Sequence, residues 1–185
     1  MRYRQPLPRL WLFTDPRLGT DVARAVSALP KGKAGVIFRD YQAPDRLARA
    51  KALRQYTRAR RLLLIVAGDA KLALRVKADG VHLPAFRPHK ALPHKGLCTA
   101  SAHNQRELVA AHKAGADLVF LSPLYPTQSH PGAPALGRLR FARLAHQSRT
   151  PIAALGGMTA ARAKSLKALG AYAWGAIEAW QRAKI

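Results

Sequence analysis

Short apolar runs recur along the chain, and most of them are continuous rather than alternating with polar residues. Continuous runs of four or five apolar residues are typical of strands that are buried on both faces of a parallel sheet. Eight such runs are predicted as strands, at residues 10–13, 35–39, 62–66, 80–83, 97–101, 118–122, 152–155 and 171–174.

Helical patterns lie between these runs. In residues 45–60, apolar side chains recur at helical spacing and arginines fill the remaining surface. Asn104 followed by Glu107 is typical of a capping box. It predicts a helix over residues 105–114, which Gly115 ends. Further helices are predicted at residues 69–78, 139–146, 159–170 and 177–184.

Strands that alternate with helices predict parallel strands joined by crossover helices. Eight such units predict an α/β fold, a compact (β/α)8 TIM barrel, in which residues 1–185 form a single domain. At 185 residues this barrel is short beside the usual length of roughly 200 or more, so a doubly wound open sheet is the alternative.

The charge balance raises a second interpretation. Lys and Arg number 32 while Asp and Glu number 9, so the formal net charge is +23. Such an excess is typical of nucleic-acid binders. The basic residues are spread over the whole chain, however, and no helix-turn-helix, zinc-finger or aromatic RNA-binding signature accompanies them. We therefore expect no specific nucleic-acid partner.

Cysteine content and hydropathy indicate the compartment. The single cysteine, Cys98, excludes an internal disulfide. No apolar run approaches the length of a membrane span, and the apolar stretch at residues 10–13 is too short for a signal peptide. We expect a cytoplasmic protein with no membrane partner. The histidines show no metal-ligand spacing, so no metal site is predicted.

Two segments near the end of the chain are candidate phosphate-binding loops, because TIM barrels often bind phosphate after their seventh and eighth strands. Gly156 and Gly157 allow a close backbone approach to an anion. Ala176 and Ile177 precede the last predicted helix, whose first N–H groups favour negative charge. The alternative is a pair of tight turns that bind nothing. Glu178 opposes the phosphate interpretation, because its carboxylate would repel the anion.

Polar side chains after the fifth and sixth strands are candidates for substrate binding and catalysis. Ser101 and His103 end the fifth strand, and His103 can act as a general acid or base because imidazole titrates near neutral pH. The alternative is a histidine that only precedes the helix cap. The irregular segment after the sixth strand offers Thr127, Ser129 and His130 as donors. Its alternative is a surface loop stiffened by prolines.

Four segments, in this order, resemble the thiamine phosphate synthase/TenI superfamily over nearly the whole chain. They read LFTD, ADGVHL, AGADLVFLSPLYPT and PIAALGGMT, at residues 12–15, 78–83, 114–127 and 151–159. The resemblance implies a (β/α)8 barrel of thiamine biosynthesis that binds a small phosphorylated heterocycle. It leaves open whether the protein is a homodimer.

The synthase branch of this superfamily joins a pyrimidine diphosphate to a thiazole phosphate with Mg²⁺. Of its Gln-x-Arg-x-Lys pattern only Arg39 is present, and its Asn-Asp pair falls on Ala67 and Gly68. The aspartate of its Gly-Gln-x-Asp pattern falls on Arg87, and its loop lysine falls on His130. Both aspartates that would hold Mg²⁺ are therefore absent, since arginine is not a metal ligand.

The TenI branch fits these departures better, because its members resemble the synthase, often have a glycine at the position of Gly68 and need no metal. The resemblance implies tautomerisation of a thiazole carboxylate phosphate, with the catalytic histidine at His103 and Arg39 facing the carboxylate or a second anionic group. We therefore expect a TenI-like enzyme without a cofactor. One alternative is a Mg²⁺-dependent synthase with a rebuilt diphosphate site, in which Asp69 partly replaces the lost ligand. Another is a non-catalytic barrel that binds a phosphorylated ligand.

Overall fold

The computed structural model describes residues 6–16, 21–85, 96–128, 132, 134–177 and 179. Within these residues, eight parallel strands pair in chain order in a closed barrel, which confirms the predicted (β/α)8 class. The strands are β1 Leu10–Phe13, β2 Ala34–Phe38, β3 Leu63–Ala67, β4 Gly80–Leu83, β5 Leu97–Ala102, β6 Leu118–Leu121, β7 Ile152–Ala154 and β8 Ala173–Ala176. Every predicted strand matches an observed one to within two residues.

The described residues pack as two compact units. The first unit comprises the described residues of Met1–His82 and Leu92–Leu97, together with residues 177 and 179. The second unit comprises the described residues of Leu83–Ala91 and Cys98–Ala176. In the first unit, Phe13 of β1 pairs with Ile37 of β2, and Phe38 pairs with Val66 of β3. Because these strands are parallel, their carboxyl ends meet at one edge of the unit. The residues that follow β1, β2 and β3 are therefore neighbours.

In the second unit, β5, β6, β7 and β8 are paired in the same parallel way. Ala102 of β5 pairs with Leu121 of β6, which pairs in turn with Ala154 of β7. Ala154 pairs with Trp174 of β8. The loops after β5, β6 and β7 therefore start side by side at the carboxyl edge of this unit.

The helices of the described part of the chain are α1 Val22–Ala28, α2 Arg46–Ala59, α3 Ala70–Arg75, α4 Gln105–Lys113, α5 Gly137–Gln147 and α6 Ala160–Ala163, with a 3₁₀ turn at Lys167–Leu169. The sequence pattern did not predict α1, because only Ala25 and Val26 of this short helix are buried. The helix predicted at residues 177–184 falls almost wholly outside the described residues. Among the described helices, none is long and apolar enough to cross a membrane.

The prediction of one continuous helix over residues 159–170 is wrong. Thr159 caps its start as expected, and Gly170 ends the segment with a φ of 75°. Between them, the backbone N–H of Ser165 donates to the carbonyl of Arg162, three positions back, at 3.4 Å. The Ser165 hydroxyl donates to the same carbonyl at 3.1 Å. Because such a side chain competes with α-helical pairing, the segment tightens into turns.

Large side chains of the strands fill the core. Trp11 and Trp174 are both buried. The Trp11 ring fills the space that a Cβ on Gly35 would occupy, and its Nε1 donates to the Pro8 carbonyl at 2.8 Å. A glycine on β2 therefore makes room for an aromatic ring from β1.

Candidate functional site

Arg39 follows β2 at the carboxyl edge of the first unit. Its Nη2 donates to Asp15 Oδ2 at 2.9 Å and its Nε donates to the Thr14 carbonyl at 3.0 Å. The guanidinium also lies over the Phe13 ring, 5.4 Å from the ring centroid. These contacts fix the plane of a cation whose side chain stays 23% exposed. A fixed, planar guanidinium is well suited to pair with phosphate or carboxylate oxygens.

A buried hydrogen-bond network fixes the backbone around Arg39. The Thr14 hydroxyl donates to Asp40 Oδ1 at 2.7 Å and accepts from the Arg39 backbone N–H at 2.9 Å. Asp40 is buried, and Arg49 Nη1 lies 3.6 Å from its second carboxylate oxygen. Because the Thr14 hydroxyl both donates and accepts a hydrogen bond, it joins the ends of β1 and β2 rigidly.

Arg46 is a second cation at this edge, and the sequence analysis missed it. Its Nη2 donates to the Ala67 carbonyl at 2.7 Å and its Nη1 donates to Asp69 Oδ2 at 3.1 Å. The guanidinium lies 5.7 Å from the ring centroids of both Phe38 and Tyr41. The sequence did contain a signal, since a cation on the first residue of a helix opposes the helix dipole. That placement indicates a role other than stabilising α2.

The residues at this edge do not fit a magnesium ion. The resemblance places the synthases' Asn-Asp pair on Ala67 and Gly68, and neither residue offers a side-chain ligand. Asp69 Oδ1 accepts from the Leu72 N–H at 2.9 Å, and its Oδ2 accepts from Arg46. Among the described residues, no group of three His, Cys, Asp or Glu side chains could hold a metal. Mg²⁺ is usually held by one or two carboxylates together with substrate phosphates, and the one carboxylate of residues 67–69 is already engaged by Arg46 and by the Leu72 N–H.

Gly156 and Gly157 follow β7 in the second unit, and both have positive φ, 88° and 61°. A Cβ on Gly156 would lie 2.6 Å from Pro123 Cβ, and one on Gly157 would lie 2.5 Å from the Pro126 carbonyl oxygen. The Tyr125 N–H donates to the Gly156 carbonyl at 3.2 Å. The two glycines therefore let the loops after β6 and β7 pack together, a requirement that holds with or without a bound phosphate.

Arg162 joins the same two loops from the first turn of α6. Its Nη1 donates to the Gly157 carbonyl, and its guanidinium lies 4.4 Å from the centroid of the Tyr125 ring. Sequence reasoning missed this residue because it lies within a helix rather than at a strand end. The contacts place an exposed cation against the glycine loop.

The other predicted binding residues differ in whether they lie in the expected loops. Thr127 is half-buried in the loop after β6. Ala176 was expected in a loop, but it is the buried last residue of β8, because that strand begins two residues later than predicted. Ile177 follows it and is half-buried in the first unit. Four of the residues singled out from the sequence lie outside the described part of the chain: Arg87, Ser129, His130 and Glu178.

His103 lies between β5 and α4, where it contacts a carboxylate. Its Nδ1 lies 2.8 Å from Glu107 Oε2, and the same oxygen accepts from the His103 backbone N–H at 2.8 Å. The predicted N-cap is confirmed, since Asn104 Oδ1 accepts from the Glu107 N–H at 3.0 Å, while the Glu107 carboxylate accepts from the N–H of His103, one residue before the cap. Glu107 thus fixes the imidazole through Nδ1, which leaves Nε2 as the ring nitrogen that can exchange a proton with a ligand.

Glu107 is held as a carboxylate. Burial alone raises its pKa, but the hydrogen bonds and charge of His103, with the Asn104 amide, outweigh burial and lower the pKa below its ordinary value. Ser101, half-buried in β5, lies two residues before His103. An ionised carboxylate that orients an imidazole is the arrangement that general acid–base catalysis uses.

Cys98 does not supply a nucleophile. Burial, and secondarily the charge of Asp117, raise the pKa of its thiol to about 11. Asp117 Oδ2 accepts from the Cys98 backbone N–H at 2.9 Å, so the carboxylate is fixed beside the cysteine. The residue therefore stays protonated and unreactive near neutral pH.

Known proteins resemble the chain in both sequence and fold. Residues 10–179 match the family model described as thiamine monophosphate synthase. A putative thiamine-phosphate synthase 2 of Aquifex aeolicus is 34% identical over 174 residues, 90% of this chain and 94% of that protein. A thiamine-phosphate synthase of Geobacillus kaustophilus is 39% identical over 138 residues, 69% of this chain and 60% of that protein. The solved structure of a thiamine phosphate pyrophosphorylase from Pyrococcus furiosus has a TM-score of 0.79 and 28% identity, covering 92% of this chain and 85% of that one.

Proposed function

Because the chain belongs to the thiamine monophosphate synthase family, we propose that it joins a pyrimidine diphosphate to a thiazole phosphate. The sequence favours TenI-like tautomerisation, but the relatives of Aquifex aeolicus and Geobacillus kaustophilus carry the synthase name, which supports the synthase alternative. The proposal rests on the fixed guanidinium of Arg39, the one residue of the synthases' Gln-x-Arg-x-Lys pattern that this chain has. It is fixed by Asp15 and Phe13 at the carboxyl edge of β1 and β2.

The reaction requires stabilisation of a departing anion. The carbon–oxygen bond of the pyrimidine diphosphate breaks, and its electron pair leaves with the diphosphate. The lone pair of the thiazole nitrogen then forms the new carbon–nitrogen bond, so no electron donor or acceptor is needed. Positive groups that are already fixed in place stabilise the departing charge without reorganisation. Arg39 is such a group.

The phosphate of the thiazole is assigned to the glycine loop after β7. The positive φ of Gly156 and Gly157 gives the loop a tight turn, and the absence of side chains there permits close approach to backbone N–H groups. Thr127, on the neighbouring loop, adds a half-buried hydroxyl. Ser129 and His130 remain proposed partners from the sequence alone.

Gly157→Ala is expected to weaken thiazole phosphate binding by about tenfold to a hundredfold, the loss of one charge-assisted hydrogen bond. The new Cβ would lie 2.5 Å from the Pro126 carbonyl oxygen and 2.8 Å from Tyr125 Cβ, so the loop must move. Calorimetric titration measures the change. Gly170→Ala is the matched control, because Gly170 has a φ of 75° and tight contacts with His146 in the same unit. Equal affinities for both variants would remove phosphate from this loop.

Formation of thiamine phosphate by the purified protein tests the main proposal. The wild type is expected to make the product from the two phosphorylated substrates, and Arg39→Gln is expected to lower the rate by about tenfold to a hundredfold, the loss of one fixed charge. Arg58→Gln removes the same charge from an exposed position on α2 and is expected to leave the rate unchanged. Absence of product from the wild type contradicts the proposal.

Tautomerisation of a thiazole carboxylate phosphate is a second candidate function, and we propose it on the contact between His103 and Glu107. In this reaction a proton leaves one carbon of the ligand and is returned at another position, so a single oriented imidazole suffices. Conversion of that ligand by the purified protein, with no thiamine phosphate formed in the parallel assay, would select this function. Tight binding of both phosphates with neither reaction is the outcome that a non-catalytic barrel predicts.

A further inference from the structure

We infer that Arg46 supplies the positive charge for a bound diphosphate that Mg²⁺ supplies in the resembling synthases, so that diphosphate binding by this chain is independent of metal. The inference rests on the proposed synthase function for the identity of the anion. It follows from a difference between the family's magnesium ligands and the side chains that this chain has at the carboxyl edge of β1, β2 and β3.

The position of the guanidinium is the first step. Arg46 Nη2 donates to the carbonyl of Ala67, and Ala67 and Gly68 are the residues on which the family's Asn-Asp pair falls. A cation of the protein therefore lies within hydrogen-bond distance of the segment where the synthases would hold a metal. The adjacent carboxylate of Asp69 is already engaged by the Leu72 N–H and by Arg46 itself.

The unused hydrogen-bond donors of Arg46 are the second step. A guanidinium has five N–H donors, and Ala67 and Asp69 take two of them. The buried Nε has no hydrogen-bond partner among the described residues, as is also true of the Nε atoms of Arg54 and Arg60. A buried donor of a charged group is costly to leave unpaired, and oxygens of a bound phosphate are the partners that a guanidinium prefers.

The surroundings of Arg46 strengthen its charge toward an anion. Its side chain is 18% exposed, against 37% for Asp69, so water screens the carboxylate more than the cation. The Phe38 and Tyr41 rings restrict the guanidinium plane. The first residue of α2 is an unfavourable place for a cation, because the positive end of the helix dipole lies there, and the Asp69 carboxylate is the anion that the structure places beside it.

Calorimetric titration with inorganic pyrophosphate in EDTA, at about 0.15 M salt to screen the surface charge, tests the inference. The wild type is expected to bind without metal, and added Mg²⁺ is expected to change the affinity by less than about threefold. Arg46→Gln is expected to weaken binding by about tenfold to a hundredfold. Arg58→Gln, which removes the same charge from an exposed site on the same helix, is expected to match the wild type. Binding that requires Mg²⁺, or equal binding by all three proteins, overturns the inference.

The Asp69→Asn variant distinguishes a positive charge supplied by Arg46 from one supplied by a metal ion on Asp69, even if Arg46→Gln fails to fold. Asparagine keeps the N-cap of α3 but removes the negative charge. If Arg46 is the cation, pyrophosphate binding stays equal or becomes tighter, because the guanidinium loses its competing partner. If Asp69 holds a metal, binding weakens and its Mg²⁺ dependence disappears, which overturns the inference. Arg46→Lys, which keeps the charge without the planar fork, is expected to bind with intermediate affinity.

The outcomes for the inference and for the proposed function are distinct. Thiamine phosphate that forms only with Mg²⁺ supports the function and overturns the inference. Metal-free pyrophosphate binding that depends on Arg46, in a protein that makes no thiamine phosphate, supports the inference and removes the function.

Discussion

Gly80→Ala is expected to lower the free energy of unfolding by about 3–5 kcal/mol, a large part of the roughly 5–15 kcal/mol that stabilises a typical domain. The alanine Cβ would overlap the carbonyl oxygen of Leu97 and would lie 2.7 Å from Ile65 Cδ1 and 2.9 Å from the Leu97 carbonyl carbon. Most of this clash is with backbone, so a rotamer change cannot relieve it. Leu97 would have to move, although its N–H donates to the Asp79 carbonyl at 3.0 Å.

Urea denaturation followed by circular dichroism measures the effect of the Gly80 substitution. Gly115→Ala is the control, because its Cβ would enter open space and only its φ of 78° is unfavourable for alanine. That variant is expected to cost about 1–2 kcal/mol. The steric explanation fails if Gly80→Ala costs no more than this control.

The strands were predictable because their signal is local. Each is a continuous apolar run, so β1 and β4 begin and end where the sequence predicts. The β8 segment is less distinct, since small and aromatic residues alternate there, and the observed strand starts two residues late. The displaced start moved Ala176 from the predicted loop into a buried strand position. A small error in a strand boundary thus changed the interpretation of a candidate site residue.

The ion pairs of the candidate site were not predictable, because they join residues that are distant in sequence. Arg46 and Asp69 are 23 positions apart, and Arg39 and Asp15 are 24 apart. With 32 basic residues and 9 acidic ones, sequence alone offers far too many pairings. The scarcity of carboxylates is nevertheless informative. Basic side chains outnumber carboxylates by 32 to 9, so an arginine whose plane is fixed by both a carboxylate and aromatic rings indicates a position with constrained geometry.

His103 could be singled out from the sequence, but the orientation of its imidazole could not be predicted. The capping box of Asn104 and Glu107 is a local pattern and was predicted. The sequence did not indicate that Glu107 also accepts from the imidazole of His103. One carboxylate thus serves both the helix start and the candidate catalytic group, so the capping and catalytic interpretations of this segment are compatible.

His103→Ala is expected to slow tautomerisation of a thiazole carboxylate phosphate by about 10²–10⁴-fold, the usual contribution of a positioned general acid or base. The variant removes the proton carrier but leaves the Asn104–Glu107 hydrogen bonds that begin α4, so the fold should persist. The rate of isomerisation under saturating ligand measures the loss. His112→Ala, on the helix that follows His103, is the matched control, because its ring Nδ1 lies 3.1 Å from the Thr150 hydroxyl rather than on Glu107.

Glu107→Gln separates catalysis by His103 from helix capping. Glutamine keeps an acceptor oxygen for the His103 backbone N–H, so α4 should retain its start, but it removes the negative charge beside Nδ1. If the imidazole moves the proton, this variant loses rate with nearly unchanged ligand affinity, because the charge that stabilises an imidazolium is gone. If His103 only precedes the cap, both variants keep the wild-type rate and change thermal stability alone. Equal rates for all three proteins would therefore assign the segment to folding and leave the arginine edge of the first unit as the chemical site.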